Sequence, residues 1–172
     1  MEDDARVAGD PKVTPAQAQR YDTLMVRLER RWFPETRAWV CSRARGHTLE
    51  VAVGTGLNLR HYASGVTLTG VDLNQPMLDL AAARADGLGR AIALHQGNAA
   101  RLPFGEASFD SVVCTFAMCE VPDVDAALTE ALRVLRPGGS LLLADHVAAS
   151  NPFLRAGQHA LELLTIPLSA EV

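Results

Sequence analysis

The sequence predicts an α/β protein with a doubly wound, mostly parallel sheet, and three observations predict it. Short β-branched or apolar runs alternate with helical stretches from about residue 48 onward, the pattern of successive βαβ units. The first run ends in Gly54-Thr55-Gly56, a tight turn at a strand end. The second ends in Asp72, a carboxylate at a neighbouring strand end.

The elements follow in order. Residues 1–14 are polar, with Gly9 and Pro11, and read as a flexible tail; residues 15–172 read as a single domain. Thr14-Pro15 reads as an N-cap and first-turn proline. Tyr21, Leu24, Met25 and Leu28 then recur at helical spacing between Ala16 and Arg31. Pro34 breaks that helix, and a second short one is expected over Glu35–Arg43. Thr48–Val53 is the first strand, followed by a helix expected over Leu57–Tyr62. Val66–Val71 is the second strand, Met77–Asp86 a helix, Ala91–His95 and Ser111–Thr115 the third and fourth strands. Asp125–Leu135 reads as a helix terminated by Pro137-Gly138-Gly139, with a fifth strand over Ser140–Ala144 and a last helix over Phe153–Leu164.

Composition narrows the function. A net charge of −4 and scattered arginines disfavour nucleic-acid binding, which needs clustered basic residues. The local run Arg27, Arg30, Arg31, Arg37 reads as a solvated helical face in preference to a substrate or anionic-surface contact. No signal peptide and no apolar run of transmembrane length is visible. Three cysteines, Cys41, Cys114 and Cys119, lack metal-ligand spacing, so the expectation is reduced thiols in a cytoplasmic protein without a metal site.

The turn and the carboxylate describe a nucleoside site. Glycines at 54 and 56 let the backbone approach a ligand, the next helix is expected to aim its N-terminus there, and Asp72 can accept both hydroxyls of a ribose. A plain strand-turn-helix, with Asp72 capping the following helix, is the bland alternative. The dinucleotide fingerprint needs a third glycine where this chain has Leu59, which disfavours a pyrophosphate site. Leu57-Asn58 after the turn leaves no Walker lysine.

On these residues the chain resembles the class I S-adenosylmethionine-dependent methyltransferases over roughly residues 20–165, most closely those of the ubiquinone/menaquinone type. LEVAVGTGLNL (49–59), GVDLNQPML (70–78), GNAARLPF (97–104), FDSVVCTFAMCEVPD (109–123) and RVLRPGGSLLLADH (133–146) resemble the family's successive motifs. Ala52 stands where many members have glycine, and Asn98 where aspartate is usual. The resemblance implies a Rossmann-like sheet in strand order 3-2-1-4-5 and S-adenosylmethionine as cofactor. By position it implies that Gly54, Thr55 and Gly56 pass the methionine moiety and that Glu50 anchors the loop. It implies ribose recognition by Asp72, adenine contacts from Leu73, Asn98 and Ala99, and a sulfonium side lined by Thr115, Phe116 and Ala117. Tyr21 is expected either to close over the cofactor or to be a core aromatic.

For chemistry, His146 and Asp145 at the mouth of the fifth strand are the candidate base pair. A polar strand end bonded to backbone is the competing reading of His146. Glu120 and Cys119 are further candidates to face substrate. The function implied is methyl transfer to a small hydrophobic molecule such as a lipid, quinone or secondary metabolite. The alternative is a non-methylating, cyclase-like or accessory protein of the same fold. The family's usual C-terminal β-hairpin finds no room before Val172, so the expectation is an exposed fifth strand covered by a homodimer or a partner protein.

Overall fold

The computed structural model describes residues 13–145. Helix α1 (Pro15–Trp32) begins at a reciprocal cap: the Thr14 hydroxyl accepts from the Gln17 amide and the Gln17 side chain accepts from the Thr14 amide. Helix α2 (Thr36–Cys41) follows after Pro34. The alternating part comprises β1 (His47–Val51), β2 (Thr67–Asp72), α3 (Gln75–Gly87), β3 (Ile92–Gln96), β4 (Phe109–Thr115), α4 (Val124–Val134) and β5 (Leu135–Ala144).

All strand pairs among the described residues are parallel, in the order β3-β2-β1-β4-β5. The order reverses beside β1, so the carboxyl ends of β1, β2 and β4 open onto one crevice. The two-residue period of the strands divides the core. Val112 and Cys114 pack with Leu49, Val51 and Val134 on the α4 side; Val113 packs with Val40, Leu59 and Ala85 on the α2 and α3 side. Within β1, Thr48 and Glu50 alternate with Leu49 and Val51, so a carboxylate is carried into the interior.

Three expectations about elements are corrected. The helix expected over Leu57–Tyr62 is only a 3-10 turn, Leu59–His61. Asn58 is drawn into the core by hydrogen bonds to Glu50 and Thr115, which occupies the turn where a helix would start. Pro137-Gly138-Gly139 does not separate α4 from a later strand. The helix ends at Val134, and β5 runs through the three residues from Leu135. Among the described residues β5 is an edge strand, which tolerates a proline without an N–H, Gly138 supplies a φ of +80°, and a Cβ on Gly139 would stand 2.9 Å from the Asp110 carbonyl oxygen. The second helix is shorter than Glu35–Arg43, because Glu35 serves as its cap and the chain turns after Cys41. Residues 1–12, His146 and the helix expected over Phe153–Leu164 lie outside the described residues.

Candidate functional site

The crevice is a cleft of about 530 Å³, its open mouth included, lined by β1's exit (Ala52 to Thr55, and Leu57), the β2 end (Asp72, Asn74), the β4 end (Thr115 to Ala117) and Glu120, with Tyr21 and Arg37 reaching in from α1 and α2. The loop after β1 is bent by three left-handed residues, Ala52 (φ +53°), Gly54 (φ +55°) and Gly56 (φ +79°). Ala52 adopts this conformation against the preference of an L-residue with a Cβ.

Asp72 holds the loop in place. Its Oδ2 accepts from the Gly54 amide at 2.8 Å and its Oδ1 from the Asn74 amide at 2.9 Å. Burial raises its pKa, and the backbone amides partly offset the rise. With about four lone-pair sites on its two oxygens, the carboxylate retains acceptor capacity for a ligand hydroxyl.

A second clamp ties α1 to the same loop. The Thr55 hydroxyl donates to Asp22 at 2.5 Å, and Arg84 of α3 reaches Asp22 twice at 2.8 Å and also the Thr55 carbonyl oxygen. At Gly56 a Cβ would stand 2.8 Å from Leu59 and 3.2 Å from the Ala81 backbone, so the glycine lets the loop pack closely on α3.

Behind the cleft lies a polar network. Arg37 forks onto Glu29 through two bonds of 2.5 Å and donates to Asn58 at 2.8 Å and to Thr115 at 2.7 Å. Asn58 donates to Glu50 and Thr115, each at 2.9 Å, and Tyr62 donates to Glu50 at 2.8 Å. Burial pushes Glu50 up to about 7, against the opposing pull of Tyr62, Arg37 and Asn58. Burial would lower the pKa of Arg37, but its bonds to Glu29 prevail and raise it. The guanidinium also lies 4.9 Å from the Phe116 ring centroid. Arg37 is therefore not on a solvated helical face; Arg27, Arg30 and Arg31 are exposed.

Of the residues singled out in the sequence, the cleft brings together Tyr21, Gly54, Thr55, Asp72, Thr115, Phe116, Ala117 and Glu120. Burial, and then the charge of Glu120, drives the Tyr21 phenol far above its ordinary range. Burial raises Glu120 too, with Asp72 and Asp145 adding to the rise. Glu50 sits one layer behind the lining. Leu73, Asn98 and Ala99 lie at the adjoining ends of β2 and β3 and do not line it; Asn98 Oδ1 accepts from the Ala100 amide at 2.8 Å. Asp145 is also outside the lining, its carboxylate accepting from the amides of Ala117 and Met118 at 3.1 and 2.6 Å. That position fixes the loop after β4. Partial burial of the Cys119 thiol, and then the Asp145 charge, pushes it up to about 11, away from thiolate chemistry.

Sequence reasoning missed Asp22, Glu29, Asn58 and Arg84. One signal pointed to Asn58: Glu50 occupies an inward position of an apolar strand, and a buried carboxylate needs partners.

Comparison with known proteins gives one picture. Residues 49–143 match the family described as methyltransferase domain. A demethylmenaquinone methyltransferase of Deinococcus radiodurans is 37% identical over 133 residues, covering 73% of this chain and 55% of that protein. A phosphatidylethanolamine N-methyltransferase of Cereibacter sphaeroides is 38% identical over 118 residues, covering 67% and 58%. The chain thus spans little more than half the length of these relatives. The crystal structure of the YcgJ protein of Bacillus subtilis, 31% identical, superposes with a TM-score of 0.66 over 77% of this chain and 57% of that one, and shares the Rossmann-like fold.

Proposed function

The chain belongs to the methyltransferase domain family, and on that premise we propose that it binds S-adenosylmethionine in the cleft and transfers its methyl group to a small hydrophobic acceptor. The observation that carries this reading is the left-handed loop at Ala52–Gly56, locked by Asp72, whose carboxylate still offers acceptor positions to the cleft. The lining suits a cationic ligand: Asp72 and Glu120 are its carboxylates, and its arginine, Arg37, is already neutralised by Glu29. Asp72 would hold the ribose hydroxyls, and the amides of the loop would meet the methionine end. Met77 and Asn74 offer a wall to the adenine.

When bound, S-adenosylmethionine supplies a methyl group already activated on a sulfonium. The protein's task is then to set an acceptor at near-attack distance and to exclude water. Phe116, held in a left-handed conformation (φ +54°), and Phe33, whose ring centroid lies 5.7 Å from it, form an apolar wall for that acceptor. Glu120 is the carboxylate on the acceptor side, and its raised pKa suits it to receive a proton if the acceptor must lose one. Tyr21 and α1 roof the site. The two relatives act by name on a demethylmenaquinone and on a phosphatidylethanolamine, which supports a quinone or lipid acceptor here.

The test is incubation with S-adenosylmethionine labelled in its methyl group and a panel of quinone, lipid and small aromatic acceptors. Formation of S-adenosylhomocysteine with label in one acceptor is expected. Saturable binding with no transfer to any acceptor would point instead to a non-methylating member of the fold.

A further inference from the structure

The outer face of α1 and the corner it makes with α2 carry an unusual combination of side chains. Leu24 and Leu28 are exposed along α1, and Trp32, Phe33 and Trp39 are exposed at the corner, with Trp32 66% and Trp39 59% accessible. Both tryptophans of the chain are here. Large aromatics in water are costly, and grouped ones mark a surface that meets something apolar.

The charges beside them have one sign. Arg20, Arg27, Arg30 and Arg31 of α1 are exposed, as is Arg43 after α2. The acidic residues of α1, Asp22 and Glu29, both point inward to Arg84 and Arg37, so the helix shows water its arginines and none of its carboxylates. Glu35 is the exposed carboxylate at this corner. Helical spacing sets Arg20, Arg27 and Arg31 along one edge of the Leu24–Leu28 stripe. Two guanidiniums lie over the tryptophan rings, Arg43 at 3.7 Å from the Trp39 centroid and Arg31 at 5.2 Å from that of Trp32. This basic face stands on a chain whose net charge is −4.

We propose that this face docks on an anionic lipid bilayer. Arginine over tryptophan fits the headgroup layer: the ring enters the acyl boundary while the guanidinium stays with phosphate. Charge complementarity selects this occupant over a second copy of the chain, since two such faces would oppose like charges. No helix among the described residues is long and apolar enough to cross a membrane, so the contact is lateral. Phe33 joins the face to the cleft through Phe116, giving an apolar ligand in the bilayer a short path inward. The docking itself stands whatever reaction the cleft performs.

The experiment mixes the full chain with phosphatidylcholine vesicles and with phosphatidylcholine–phosphatidylglycerol vesicles and follows sedimentation and tryptophan emission. Because both tryptophans lie in the face, their emission reports on it alone. Binding to the anionic vesicles only is expected, with a blue shift, quenching by brominated acyl chains and release by high salt. Each basic residue at an anionic surface contributes about fivefold. The Arg27→Gln/Arg30→Gln/Arg31→Gln variant, checked for native circular dichroism, therefore partitions about 100-fold less. Failure to bind anionic vesicles, or binding with unchanged tryptophan emission, overturns the proposal. So does a dimer that shields both tryptophans from an aqueous quencher without lipid.

Discussion

Replacing Arg37 with methionine removes the residue that joins α1, the glycine-loop region and β4. Arg37 and Glu29 are each 12% exposed, so the pair is not a surface salt bridge, and the two cases differ sharply in magnitude. An exposed pair contributes about 0–1 kcal/mol. Removing one partner of a buried pair costs about 3–5 kcal/mol, because the other charge stays desolvated without compensation. Here the stranded groups are the Glu29 carboxylate and Asn58 Oδ1, the latter on a fully buried residue. Their costs overlap and do not add. The expected loss of about 3–5 kcal/mol is a large share of the roughly 5–15 kcal/mol that holds a typical domain. Urea unfolding followed by circular dichroism would show it as a midpoint lowered by roughly 2 M, for a denaturant slope of about 2 kcal/mol per M. Arg37→Lys keeps the charge but not the fork, and should fall between the two. The double variant Glu29→Gln/Arg37→Met should be more stable than Arg37→Met alone, because no unpaired charge remains on Glu29. A loss below about 1 kcal/mol, or a double variant no better than the single, would refute the reasoning.

Three other outcomes follow from the same geometry. Asp72→Asn sets an amide N–H₂ against one of two backbone donors and should weaken S-adenosylmethionine binding by about 10–100-fold in a calorimetric titration; unchanged affinity removes Asp72 from the site. Ala52→Gly relieves a left-handed alanine, and after the added freedom of the unfolded chain the net gain should be roughly 0.5 kcal/mol in thermal unfolding; a clear loss contradicts it. Glu50 holds its proton more tightly folded, near 7, than unfolded, near 4.5. Its contribution is therefore greatest below the unfolded value and is lost as pH rises through the folded one, by roughly 3 kcal/mol in all. Glu50→Gln should abolish that slope between these two values, and an identical slope in both proteins would exclude Glu50 as its source.

The parts legible in the sequence were those set by local chemistry. Gly54, Gly56 and Asp72 announce themselves because a turn at a strand end needs particular residues within a few positions, and the doubly wound parallel sheet follows from the alternation of elements, whereas the strand order 3-2-1-4-5 rested on the family resemblance. The Asp22–Arg84 and Arg37–Thr115 contacts join residues 62 and 78 positions apart, and no periodicity encodes such pairs. The Arg27–Arg37 run looked uniform in composition, yet Arg37 alone among its four arginines is drawn under α1, because only it meets Glu29, Asn58 and Thr115 together. Pro137-Gly138-Gly139 was misleading for a different reason. Breaker residues describe what a backbone cannot do in isolation, whereas β5 needs the open space of Gly139 beside the Asp110 carbonyl. Gly56 shows a related limit: the motif does not reveal that a Cβ there would meet Leu59 and Ala81, a packing requirement that only the fold creates.

The most direct measurement is a calorimetric titration of the full chain with S-adenosylmethionine. The loop locked by Asp72 and the carboxylate-lined cleft predict saturable heat at one site per chain, competed by S-adenosylhomocysteine. No heat and no thermal stabilisation at saturating ligand would contradict the assignment of the cleft.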